Sequence, residues 1–171
     1  VILAVIPYGT ANLFCIEFNY LKKIEEICSK VMQGNYKKID LGIVNEKYFA
    51  CMVGVGFDAY VIKKADRYLK QIYGALSYLI VAVKEYLNYT FNPITVTIDG
   101  EKDPIKGYFV VVGNIKYYGG NLVIAPKADP ADGFLDVCVF KTNSVYNTIK
   151  CGIKMKLGIL KNCKYVSFFQ T

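Results

Sequence analysis

The sequence has no histidine and no tryptophan, and Arg67 is its single arginine. Without histidine, neither a Ser-His nor a Cys-His nucleophile pair can be assembled. There are six cysteines, Cys15, Cys28, Cys51, Cys138, Cys151 and Cys163, but no CxxC pair. A zinc site would have to gather four thiolates from distant segments. Cysteines within apolar stretches such as YFACMVGV and LDVCVF read instead as buried free thiols in a reducing compartment. Long hydrophobic runs are missing too. The longest, IYGALSYLIVAV between Lys70 and Lys84, is too short to span a bilayer. No basic leader with a cleavage site opens the chain, so no signal peptide is expected and the expected setting is the cytoplasm. Internal repeats and low-complexity tracts are also absent.

What is present describes a globular chain. Its 171 residues are 54% hydrophobic and 20% charged, enough for a core and the length of one domain, or of one domain and part of another. The net charge of +7 suits anionic partners such as nucleotide phosphates or acidic lipid headgroups. The lysines are dispersed and form no dense tract. That describes a solvated surface more readily than a polyanion site, and no nucleic-acid partner is expected.

The pattern changes near residue 36. Before it, Val1 to Ile6 is an apolar run like the end of a buried strand. PYGTAN follows as a turn, with Asn12 placed to cap a helix. Leu21, Ile24, Ile27 and Val31 recur at helical spacing, and Gly34 is a C-terminal stop. After it, KKIDLGIV and KYFACMVGVGF read as strands joined at Asn45-Glu46. Helical period returns over about residues 60–88, with Gly74 as a break. ITVTI, GYFVVVGN, FLDVCVFK and KYVSFF read as strands, with a turn at Asp99-Gly100 and a helix from Asn143 or Ser144 to about Gly158. The expected fold is α+β, mainly β: a two-layer β-sandwich with helical insertions over 36–171, preceded over 1–35 by the last strand and helices of an α/β domain.

Three stretches carry chemistry. In IPYGTAN a Gly-Thr pair between strand and helix leaves N–H groups free to meet a phosphate, although most such turns are only connections. In VGVGFDA, Gly54 and Gly56 allow close backbone approach, and Asp58 is placed to cap the next helix. In GNIKYYGGNLVIAPKADPADGFLDV, Gly119-Gly120 permits positive φ, and Asp129, Asp132 and Asp136 surround a turn. Oxygen ligands in a tight loop suit a hard cation, but an ordinary turn set by Asp132-Gly133 reads equally well. Lys63, Arg67 and Lys70 share one face of the helix after GFDA, where they meet either phosphate, an acidic membrane or only solvent. The apolar helix from Ile72 to Leu87 is a core helix or the lining of a lipid-tail pocket.

The order of the pieces is more specific than any one of them. PxGTAN, IDLGxVN, GxGFDA and GNxxYxGGxxxIAPxAxxxDGxLDV together resemble the diacylglycerol kinase catalytic family, which includes bacterial lipid kinases and sphingosine kinases. The resemblance implies an α/β domain like that of NAD kinases, a C-terminal β-sandwich, and ATP in the cleft between them. It implies a structural Mg²⁺ held by the Asp132 carboxylate with the carbonyls of Asp129 and Phe134, and places Thr10 and Asn12 at the nucleotide cleft. The implied activity is transfer of the γ-phosphate of ATP to a lipid hydroxyl at the membrane periphery.

The sequence also departs from that family. It has no GGDGT nucleotide loop. Its DGE, Asp99 to Glu101, lies in a hairpin turn and not at the catalytic position. Leu13 and Ile16 replace the acid and arginine of GTxNDFAR. No catalytic residue is therefore assigned in this chain, which is expected to be inactive alone. A non-catalytic lipid- or partner-binding sandwich is the alternative, and an NAD kinase relative is a third reading that the GNxxYxGG and DGxLD pieces disfavour. An exposed sheet edge or domain face would favour a homodimer.

Overall fold

The computed structural model describes residues 2–20, 23–64, 76–99 and 102–171. Its main layer is a four-stranded antiparallel sheet in the order β10-β9-β6-β3. These strands are β3 (Met52–Gly56), β6 (Phe109–Gly113), β9 (Asp136–Phe140) and β10 (Val166–Gln170). Both faces of the sheet are covered, and the period-two alternation of its strands sorts the side chains between them. Val111, Cys138, Phe140 and Val166 face one core, together with Ile124 and Leu160. Val110, Val137 and Val139 face the other. Every residue of β9 is consequently buried.

On the first face lie the ribbon of β7 (Tyr117–Tyr118) and β8 (Leu122–Val123) and the helix α5 (Val145–Lys156). This helix contributes Cys151 and Met155 to the core. On the second face lies the ribbon of β4 (Ile94–Val96) and β5 (Ile105–Gly107), through Ile94, Val96 and Ile105. This ribbon is the second β layer, so the α+β, mainly β sandwich expected from the patterning is the fold observed. Phe109 and Phe140 stand opposite in the β6–β9 register and stack at 3.8 Å. At the edge beyond β3, helix α3 (Phe57–Lys64) packs on α4 (Leu76–Tyr86), and Phe57 meets Tyr86, Tyr89 and Phe91 at ring distances of 5.1–5.4 Å.

The hairpin turn at Asn45-Glu46 forms as expected. Both residues have positive φ, 45° and 64°, which is the geometry that matches the twist of a tight hairpin. It joins β1 (Gly42–Val44) to β2 (Lys47–Phe49). The second predicted strand is interrupted at Ala50–Cys51, so that β2 and β3 belong to different sheets.

The first 35 residues differ more from expectation. Residues 2–8 form no strand, and Ile2 and Leu3 are exposed. A strand needs a neighbour for its N–H and C=O groups, and no described strand pairs with this run. The single predicted helix is two, α1 (Leu13–Glu17) and α2 (Ile24–Met32), separated at Asn19 with φ 50°. Asn12 precedes α1 but gives it no side-chain cap. The Asp99-Gly100 turn and the Gly74 break fall partly or wholly outside the described residues.

Candidate functional site

At one end of the main sheet, Met52, Gly113, Asp136 and Gln170 lie abreast. The chain segments leaving these strand ends carry most of the motifs, and they are tied together by polar contacts between residues far apart in sequence.

Asn114 follows β6 directly and is fully buried. Its Nδ2 donates to the carbonyls of Asp40, at 2.9 Å, and Ala50, at 3.0 Å. Its backbone N–H donates to the Cys51 carbonyl at 2.8 Å. Its Oδ1 is buried and accepts no hydrogen bond from the described residues. A buried amide with both N–H donors satisfied locks three backbone segments in one geometry.

Asp40 carries the link onward. Its N–H donates to the Pro130 carbonyl at 2.7 Å, and its Oδ2 accepts the Gly133 N–H at 2.8 Å. The loop 129–134 is thereby fastened to the Asn114 turn. Within it, Asp129 Oδ1 accepts the Ala131 N–H at 3.1 Å, and Asp132 Oδ1 accepts the Phe134 N–H at 3.0 Å. These are two successive Asx turns. Asp136 is not part of the loop. It is buried at the start of β9, where burial raises its carboxyl above the usual range and a hydrogen bond from Gln170 opposes the rise.

Asp58 sits in the first turn of α3 and is buried. It accepts the Tyr118 hydroxyl hydrogen bond at Oδ1. Glycine at position 54 leaves room for this carboxylate, because a Cβ there would collide with Asp58 Oδ2. Burial pushes the Asp58 carboxyl up, and the Tyr118 bond pulls it partly back. Gly119 and Gly120, directly after Tyr118, both have positive φ, as the sequence implied.

The N-terminal segment reaches the same region. Helix α1 packs on β7. Glu17 Oε2 accepts the Lys116 N–H at 2.8 Å, and the Lys116 ammonium lies 3.6 Å from Oε1. The Glu17 side chain is only 4% exposed. Thr10 is exposed in the turn before α1, and Asn12 Oδ1 accepts the Gly9 N–H at 2.8 Å, closing that turn.

The structure therefore brings together Asn114, Asp129, Asp132 and Phe134, and Asp58 with the Tyr-Gly-Gly stretch. Of the basic group, Lys63 is exposed on α3, whereas Arg67 and Lys70 lie outside the described residues. No three acidic or cysteine side chains gather as a metal cluster among the described residues. The loop 129–134 offers only carboxylate and carbonyl oxygens, a donor set that would suit a hard cation and not a soft metal. Asp40, Glu17 and Tyr118 were not singled out from sequence. Asp40 lies inside the quoted IDLG piece, whereas Tyr118 is the unspecified position of YxGG. Glu17 has no local signal, because its partner Lys116 is 99 residues away.

Comparison with known proteins identifies the family of the chain. Residues 51–170 match the family described as the YegS C-terminal NAD kinase beta sandwich-like domain, and the chain belongs to that family. It is 31% identical over 149 residues to a diacylglycerol kinase of Mycobacterium tuberculosis, covering 83% of this chain and 48% of that protein. It is 30% identical over 147 residues to a protein of Shewanella frigidimarina named "Probable lipid kinase YegS-like", covering 85% and 47%. The chain thus spans about half the length of the curated relatives it matches. Its fold matches a crystal structure of a diacylglycerol kinase from Bacillus anthracis with a TM-score of 0.60 at 24% identity, over 95% of this chain and 51% of that one. A second solved chain from that organism matches with a TM-score of 0.71 at 23% identity, over 95% and 53%. At these identities the structural matches show the fold alone.

Proposed function

We propose, from this family membership, that the chain is the C-terminal portion of an ATP-dependent lipid kinase that moves the γ-phosphate of ATP to a lipid hydroxyl, as of diacylglycerol. On this reading residues 1–35 are the end of the N-terminal α/β domain and 36–171 the sandwich domain. The observation that carries it is the convergence of the motifs. Asp40 joins the IDLG piece to both Asn114 and Gly133 of the 113–137 stretch, Tyr118 of that stretch joins Asp58 of GFDA, and Glu17 brings in the segment that carries Thr10 and Asn12. Motifs that were only ordinary turns would have no reason to meet.

Phosphoryl transfer consists largely of positioning and charge neutralisation. In this chain the tied loops do the positioning. Thr10 and Asn12 stand at the edge of the nucleotide cleft. Asp132, with the carbonyls of Asp129 and Phe134, holds a Mg²⁺ that keeps the loop 129–134 in shape. The GGDGT loop and the catalytic acid are supplied by other parts of a longer polypeptide, so this chain alone is inactive. The setting is cytoplasmic, at the membrane periphery. No helix among the described residues is long and apolar enough to cross a membrane.

The test is phosphoryl transfer by the 171-residue chain and by a longer polypeptide that includes it, each given ATP, Mg²⁺ and diacylglycerol vesicles or NAD. Transfer to diacylglycerol by the longer protein alone is expected. Transfer to NAD and to no lipid would overturn the reading, and turnover by the short chain would overturn its division of labour.

A further inference from the structure

We infer that the outward face of α5 is a membrane-docking surface that seats on an anionic lipid bilayer. Tyr146, Ile149, Ile153 and Leu157 are 65%, 57%, 56% and 64% exposed. At 3.6 residues per turn they fall within about 80° of one another. Cys151 and Met155, which face the core, lie on the opposite side of the same helix. The apolar stripe therefore points directly away from the protein, which is the wrong place for core residues and the right one for interfacial burial.

Charge identifies the occupant. On the helical wheel Lys150 and Lys154 border the stripe on one side and Lys156 on the other. The 35 residues from Val137 to Thr171 contain six lysines and no acidic residue. A protein partner or a second copy of this chain would need acids to face those lysines, and this surface offers none of its own for self-pairing. Anionic headgroups meet the lysines while acyl chains receive the stripe. Lys150 lies over the Tyr146 ring at 4.2 Å, and Lys154 Nζ donates to the Asn162 carbonyl at 2.6 Å. Both cations are thus held beside the stripe. A groove of about 550 Å³ runs between α5 and the turn that follows it, lined by Ile153, Leu157, Lys154 and Tyr165. It is open and apolar between its lysines, as a seat for headgroup and upper chain requires. This surface is on a different helix from Lys63. It rests on the lipid-kinase reading only for its purpose, not for its detection.

The test is co-sedimentation with vesicles of phosphatidylcholine alone or mixed with phosphatidylglycerol, free of any kinase substrate, using both this chain and the longer polypeptide. Binding to the mixed vesicles only, weakened by salt, is expected of both. Ile149→Ser with Ile153→Ser should abolish it. Lys150→Glu and Lys156→Glu should each weaken it by at least roughly five-fold. All four side chains are exposed, so circular dichroism should be unchanged. Wild-type binding by these variants would overturn the proposal, as would binding by the short chain but not the longer one, which would mean that other residues of the polypeptide cover the face. Dimerisation lost in the variants, without vesicle binding, would overturn it in favour of self-association. Because no phosphoryl transfer is read, failure here leaves the kinase reading intact, and the reverse also holds.

Discussion

The side-chain amide of Asn114 donates to the backbone carbonyl of Asp40 at 2.9 Å, across 74 residues of sequence. Asp40 in turn accepts the Gly133 N–H, across 93. Two residues thus hold three distant segments in register.

Asn114→Ala removes both N–H donors from the half-buried carbonyls of Asp40 and Ala50. Leaving those carbonyls without partners should destabilise the fold by roughly 2–4 kcal/mol. Chemical denaturation measures this. A loss within the noise of a surface substitution would mean that the knot does not hold the site.

Gly54→Ala should force the Asp58 carboxylate off its seat and away from Tyr118, because the added Cβ collides with it. The expected cost is roughly 1–3 kcal/mol. Combined with Asp58→Ala, the change should cost much less, because the clash is gone. Additive costs in that double-mutant cycle would contradict the geometry.

Asp58 also makes a pH prediction. Burial, the larger influence, raises its carboxyl, with the Tyr118 bond opposing. The folded state therefore binds this proton more tightly than the unfolded state does. Stability from this group is complete below the ordinary carboxylate range and declines as pH rises through the elevated folded value. Asp58→Asn keeps an acceptor for Tyr118 and removes the buried charge. It should be more stable than wild type at neutral pH, with the difference vanishing toward acid. A difference that is flat with pH would mean that the carboxylate is not desolvated.

Asp132→Ala removes the acceptor for the Phe134 N–H and should cost roughly 1 kcal/mol in the absence of metal. Under the proposed cation site, Mg²⁺ raises the melting temperature of wild type and not of this variant. Equal melting of wild type with and without Mg²⁺ would remove the cation from the account.

Much of this was legible in the sequence because it is local. The Asn45-Glu46 turn, the strand ending at Gly113, the helix stopping at Gly158 and the loop around Asp132-Gly133 follow from turn formers and period-two or helical spacing within a few residues. The apolar run of Val110 to Val112 reads as a strand, and only the fold shows that both faces of its sheet are covered. What was not legible depends on partners. The run from residue 2 to residue 6 has strand composition, but no described strand pairs with it. Asp58 was read as a helix cap, and only the fold shows Tyr118 beside it, 60 positions later. The Glu17 contact with Lys116 has no local periodicity that could announce it. The exposed stripe on α5 has the spacing of an ordinary core stripe, and only burial shows that it faces outward.

The most direct measurement of the central claim is the mass of the lipids recovered after a longer polypeptide containing these residues is incubated with ATP, Mg²⁺ and a panel of diacylglycerol, sphingoid base, phosphatidylglycerol and polyprenol. The account predicts that one hydroxyl lipid gains a single phosphoryl group, and that Asn114→Ala reduces that gain in proportion to the folded fraction lost. A panel returned unchanged by a folded, nucleotide-binding protein would contradict it.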